Sequence, residues 1–366
     1  MTVTATPLVH RRIDGWLLGG FGVVAWLAVT RLPGFDRPLI GSLGGVAGAL
    51  MLALAAAHFG TSYHLAYAGG TQAVRRHPIA LLATPAMLVV ACLAVPALVA
   101  VGAVGNAEWL TRALLVVVFT LTGWHYIKQA YGVALLSLKL HGLRATPRAV
   151  WWLRYGFYPI WLVDLMDVWA DGRRASYRKY DVDVGLFPTW VEQAARVLAG
   201  GCVLIVLGVL AHTGARVRRV PPMGAWAPYV AGALWFVFPP TYLATSLVIG
   251  ATHSLQYMTC VHRAEITWAR ERGEDRLVLY WLSVVGGAAA GGLLFSSWMP
   301  RVVDDMITDP ALPALAATLT FVALNVHHYA IDAAIWRSRG EHIRRIVQGS
   351  APAMNAVGVA SESSPR

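Results

Sequence analysis

Asn325, His328 and Asp332 fall at i, i+3 and i+7 in FVALNVHHYAIDAAIW. A helix would line that amide, imidazole and carboxylate along one face. The carboxylate can ligate a metal itself, or accept the second ring N–H of His328 and fix its tautomer. His327 points about 100° away and would serve a second position or a neighbour. WHYIKQAYG sets His125, Lys128 and Gln129 at i, i+3 and i+4. Lys128 can hold an anionic headgroup, a carboxylate or an oxygen-derived anion, or simply snorkel to water. AHFGTSYH carries His58 and His64, and THSLQYMTCVHRAE carries His253 and His262. Within each pair the members lie about 240° and about 180° apart on a straight helix, so both cannot face one point. Gly60, Thr61 and Ser62 can break or bend the first segment, and of its two histidines His64 is preferred. His253 shares a face with Gln256 and Cys260 and is favoured in the second. The candidate ligands are therefore His58, His64, His125, His253, His262, His327, His328 and Asp332, and the catalytic candidates are Lys128, Gln129 and Asp332.

These residues sit in greasy sequence. The chain has 366 residues, 57% of them hydrophobic and 13% charged, whereas a soluble domain has about a quarter charged. A helical membrane span takes roughly 20 apolar residues. Eight segments qualify, at roughly 15–32, 39–60, 78–103, 109–137, 189–211, 226–252, 277–298 and 311–335. The expected fold is all-α and polytopic, because backbone facing lipid must satisfy its own hydrogen bonds and nothing alternates as barrel strands do. Arg154, Asp164 and Asp167 make 150–169 an interfacial or re-entrant candidate. Residues 1–348 read as one membrane domain, and the small, polar stretch 349–366 as a disordered tail. Pro239-Pro240 should kink or break the sixth span. Glycines at 286–287 and 291–292 read as close-packing sites, and Cys92, Cys202 and Cys260 as packed thiols.

Charge placement orients the spans. The formal charge of +11 lies in short loops, which fits membrane topology and argues against nucleic acid. With eight spans and cytoplasmic termini, as in a bacterial inner membrane, the basic clusters fall inside together; only Arg216/Arg218/Arg219 would lie outside. The second, fourth, sixth and eighth spans then run in one direction. At 1.5 Å per residue they deliver His58, His125 and His328 to one layer near the cytoplasmic boundary, and His253 and His262 end the sixth span on the same side. Polar groups in a bilayer are expensive and mark function. His10, His77, His141, His212 and His342 accompany loop or basic sequence and read as surface residues.

A histidine-rich site with one carboxylate and no thiolate suits iron, copper or zinc. The count of imidazoles exceeds what zinc hydrolysis requires. The chain in this respect resembles, as a class, the integral-membrane histidine-cluster oxygenases, namely fatty-acid desaturases, hydroxylases and carotenoid-modifying enzymes. His327-His328 echoes the adjacent pair of the desaturase boxes, although no H-x3-H or H-x2-H-H occurs. Membrane carotene-cleaving dioxygenases, with isolated histidines on several spans around one iron, are nearer in arrangement. The resemblance implies one or two non-haem irons, dioxygen chemistry, a lipophilic acyl or isoprenoid substrate entering from the membrane lipids, and a redox partner. Two other readings stay open. Two histidines could hold a haem for electron transfer, or the His/Asp/Lys set could relay protons or metal ions in a transporter.

Overall fold

The computed structural model describes residues 7–10, 12–31, 37–103, 107–169, 175–177, 180–182, 187–239, 242–294, 312–336 and 341–348. Helix dominates them: α1 (Trp16–Arg31), α2 (Arg37–Tyr67), α3 (Gly70–Arg76), α4 (Ile79–Ala100), α5 (Ala107–Leu140), α6 (Pro147–Tyr155) and α7 (Tyr158–Trp169). A two-stranded antiparallel hairpin follows, β1 (Ala175–Tyr177) and β2 (Tyr180–Val182), with Ser176 opposite Asp181. Then come α8 (Thr189–Ala215), α9 (Met223–Val237), α10 (Tyr242–Glu271), α11 (Leu277–Leu293), α12 (Leu312–Ile335) and α13 (Glu341–Gln348). Three helices, α4, α5 and α8, are long and apolar enough to cross a membrane, and α1, α9 and α11 are shorter apolar helices. The expected tail, 349–366, lies outside the described residues, as do 301–310 and Arg173/Arg174.

Side-chain registers give the helix directions. Leu115 and Val118 pack on Val322, Thr122 meets Tyr329, and His125 meets Asp332, so α5 and α12 are parallel. His58 meets Ser254, Thr61 meets Met258 and His64 meets Glu265, so α2 and α10 are parallel. Gln129 meets His253, and Val133 and Leu140 cluster with Cys260 and Ala264, so α5 joins the same set. α2, α5, α10 and α12 therefore share one direction, the condition required for four helices to meet at one level.

Two elements differ from the sequence-based expectation. The segment 226–252 is not one kinked span but a helical hairpin. Along α1 the contacts run Leu18–Gly224, Gly22–Trp235 and Trp26–Phe238, parallel to α9. Along α10 they run Gly22–Thr252 and Leu18–Gln256, antiparallel. The chain thus reverses between Phe238 and Tyr242, where Pro239 removes a backbone donor and fixes its φ. The other is 150–169, expected as an interfacial or re-entrant piece, which forms two helices, α6 and α7, that enter the core. Thr146 caps α6 by accepting from the Ala149 N–H at 3.2 Å, with Pro147 in the first turn. Leu153, Phe157, Ile160 and Val163 form a stripe buried at 0–1% exposure. Arg154 stacks over Tyr131, and Trp161 donates to the Thr120 carbonyl at 2.9 Å, so α6 and α7 together run antiparallel along α5. Of the charges that argued against a through-going segment, Arg154 is exposed and Asp164 lies over Gly123 of α5.

Each correction adds one pass, so the direction of every later helix from α10 onward is unchanged. α8 does change direction. Its end, Arg216, shares a cleft with Arg144 and Arg148, so the basic cluster expected on the opposite side joins the others.

Candidate metal centre

His58 on α2, His125 on α5, His253 on α10 and His328 on α12 meet in the interior, at exposures between 1% and 6%. One ring nitrogen from each lies within 4.8 Å of the others. Ring centroids around the square are 4.7 Å (His58–His253), 4.9 Å (His253–His125), 5.0 Å (His125–His328) and 4.7 Å (His328–His58). His58 Nε2, His125 Nε2, His253 Nδ1 and both His328 nitrogens are buried without a hydrogen-bond partner among the described residues. A buried polar atom left unpaired costs about 1–3 kcal/mol, and these four imidazoles carry five of them.

These residues fit a metal ion. Nitrogens bound tetrahedrally to one ion at about 2.1 Å stand about 3.4 Å apart, so inward shifts of under about an ångström per ring close the set. Neutral imidazoles alone would leave a cation uncompensated in an apolar interior. Asp332 supplies the counter-charge: its Oδ2 lies 3.6 Å from both His125 Nε2 and His328 Nε2, while Oδ1 accepts the Tyr257 hydroxyl at 3.1 Å. The Asn325 amide, aligned with His328 and Asp332 by spacing, instead donates to the Phe321 carbonyl and accepts from Tyr329.

A second layer holds the imidazoles flat, and sequence reading missed it. Tyr257 of α10 stacks on His58 (4.2 Å, 21°), and Tyr126 of α5 lies over His253 (4.1 Å, 31°). Tyr329 of α12 stacks on His125 (4.5 Å, 27°), and Phe59 of α2 stacks on His328 (4.4 Å, 25°). Each of the four helices thus gives one imidazole to the centre and one aromatic ring to its neighbour's imidazole, and the sequence α2, α10, α5, α12 closes on itself. The signal was in the sequence as dipeptides: His58-Phe59, His125-Tyr126 and His328-Tyr329. The residue after each histidine lies about 100° round the helix and reaches the adjacent helix.

The remaining candidates lie elsewhere. His64 pairs with Glu265 at 3.5 Å and His262 packs edge-on against Trp281, so neither joins the four. The choice of His64 over His58 is reversed. α2 continues unbroken through Gly60–Ser62, because Thr61 and Ser62 return their hydroxyls to the carbonyls of Ala57 and His58. His327 is tied at both nitrogens, Nδ1 to the Tyr63 hydroxyl at 2.9 Å and Nε2 to the Ala80 carbonyl at 3.1 Å. That network assigns the Nε2–H tautomer. Lys128 sits 4.1 Å over the Trp124 ring. Gln129 is a brace: its amide donates to the His253 carbonyl at 2.7 Å and to Gln256 Oε1 at 3.2 Å, and Gln256 donates to the Leu18 carbonyl. Gln129→Leu is expected to lower stability by about 1–3 kcal/mol, since buried acceptors lose their donor. Thermal unfolding in detergent checks it. All three cysteines are free, and none joins the four histidines.

Beyond the histidines the helices continue for about 10 Å in α12 and about 27 Å in α10. α13 packs against that extension of α10 and buries Ile346 fully. No protein-family model, curated protein or solved structure matches this chain, and the centre is described by its own geometry alone.

Proposed function

We propose that this chain is a multi-pass membrane oxidoreductase that holds one non-haem iron in His58, His125, His253 and His328 and acts with dioxygen on a lipophilic acyl or isoprenoid substrate. The observation that carries the reading is the convergence of four buried imidazoles from four parallel helices with their ring nitrogens unsatisfied. A membrane setting follows from the three long apolar helices and from the apolar side chains on their outer faces, such as Leu93 on α4 and Leu204 on α8. In that setting ten helical passes give cytoplasmic termini, and Arg75/Arg76, Arg144/Arg148, Arg216/Arg218/Arg219 and Arg270/Arg272 share the cytoplasmic side.

Iron bound here would supply redox chemistry and activation of dioxygen. The protein's part is positional and protonic. The stacked rings fix the imidazole planes, and Tyr257 holds Asp332 so that Oδ2 faces His125 and His328. Asp332 Oδ2 can take a proton from a reacting group and return it, with the Tyr257 hydroxyl as the adjoining donor. Burial of all four imidazoles excludes bulk water. A single ion is favoured over two, because one compact quartet is present and His64, His262 and His327 are engaged elsewhere. A haem does not fit: two axial imidazoles would need a clear porphyrin plane between them, and the other two imidazoles fill it at under 5.1 Å from their neighbours.

Elemental analysis and an absorption spectrum of detergent-purified protein test this directly. About one iron per chain without a Soret band, and oxygen consumption on adding a carotenoid or fatty-acyl substrate, are expected. Zinc alone, no metal after iron-replete expression, or metal uptake into vesicles without oxygen consumption would overturn it.

A further inference from the structure

A cleft of about 350 Å³ opens between the α6 end and the α8 end of the bundle. Three arginines from separate elements meet there: Arg144 from the α5–α6 turn, Arg148 from the first turn of α6 and Arg216 just past α8, with His212 beside them. None of the three arginines forms an ion pair among the described residues. The same cleft receives the N-terminus of α6, where Pro147 has no N–H and Thr146 already holds the Ala149 N–H, so the helix adds its dipole alone to the attraction for an anion. Its other wall is apolar: Trp152 and Ile205 line it, and exposed Leu204, Leu198 and Val197 continue the greasy surface along α8.

Cationic charge at one end and an apolar track leading away from it match one kind of molecule. We infer that this cleft binds an anionic glycerophospholipid, its phosphate held by Arg144, Arg148 and Arg216 and its acyl chains lying along α8. α8 is among the three helices long and apolar enough to cross a membrane, and the cleft lies where it ends. Trp152 belongs at that depth, where an amphipathic ring straddles the headgroup boundary. A cytoplasmic leaflet offers anionic lipid to arginines so located. The inference rests on the membrane setting proposed above and not on the metal.

Native mass spectrometry of the full chain, released from detergent with added lipid, tests it. Each arginine near an anionic surface is worth roughly a factor of five, so three exposed ones are expected to favour phosphatidylglycerol over phosphatidylcholine by at least about tenfold. The Arg148→Gln/Arg216→Gln double variant should bring that ratio to within about threefold, while Arg75→Gln/Arg76→Gln, with equal loss of charge, keeps it. Thermal unfolding verifies that each variant is folded. Equal retention of the two lipids by the unsubstituted protein would overturn the inference. So would an undiminished ratio in the first double variant, or full displacement by equimolar inorganic phosphate, which would mark a free-anion site. Resistance of the protein to carbonate extraction, measured alongside, separates failure of the lipid site from failure of the membrane setting.

Discussion

Alanine at any one of His58, His125, His253 or His328 is expected to lower metal affinity by more than about a hundredfold. Losing even an outer hydrogen-bond partner of a ligand costs 10–100-fold, and each of these imidazoles is a quarter of the donor set. Detergent-purified variants should fall from about one ion per chain to nearly none by elemental analysis, and oxygen consumption should fall with it. His327→Ala is the decisive comparison, because it is adjacent in sequence but tied to Tyr63 and Ala80. It should keep its metal, as should His64→Ala and His262→Ala. If His327→Ala loses as much metal as His328→Ala, the geometric selection of the four is wrong.

The second large effect belongs to a seam with no chemistry of its own. The most extensive helix–helix contact joins α2 and α11. It is reciprocal: a Cβ at Gly60 would run into the Ala288 backbone, and a Cβ at Gly292 into the Ala56 backbone. Small residues four apart on both helices let the backbones touch. Gly60→Leu and Gly292→Leu are expected to cost more than the about 1–3 kcal/mol usual for overpacking, because an obstructing backbone cannot rotate away. Gly286→Leu and Gly287→Leu, where nothing lies within 4 Å, should be close to neutral. Gly60 is also two residues from His58, so its substitution should depress metal content as well as the unfolding temperature. Matching unfolding temperatures for Gly60→Leu and Gly286→Leu would sink this account of the seam.

The helices were legible in the sequence because long apolar runs state their own length. Seven of the eight expected segments correspond to single helices, and only 226–252 is divided between two; α2 and α10 extend well past the expected ends near 60 and 252. What escaped was set by contacts between helices. Arg154 and Asp164 disqualified 150–169 by composition, yet the Leu153–Val163 stripe is core. Pro239-Pro240 announced a break without saying whether the chain bends or reverses. The shared direction of the four histidine-bearing helices emerged from the sequence because the two additional helical stretches, α6–α7 and α9, leave the parity of the later helices unchanged. The selection of His253 over His262 followed from helical phase, which a straight α10 preserves. The preference for His64 over His58 had no such phase argument behind it, and the unbroken α2 turns His58 to the centre. The aromatic layer is visible in the sequence only after the order of neighbours is known.

The closed circuit of rings has a consequence for how the protein is made. No imidazole of the four is held by its own helix alone, and the last member, α12, both completes the donor set through His328 and clamps His125 through Tyr329. A ribosome emits α2, α5 and α10 well before α12. The nascent chain therefore carries three loosely held imidazoles until α12 follows. The quartet and its ring clamps become complete in one step, as a property of the assembled bundle and of no smaller part of it.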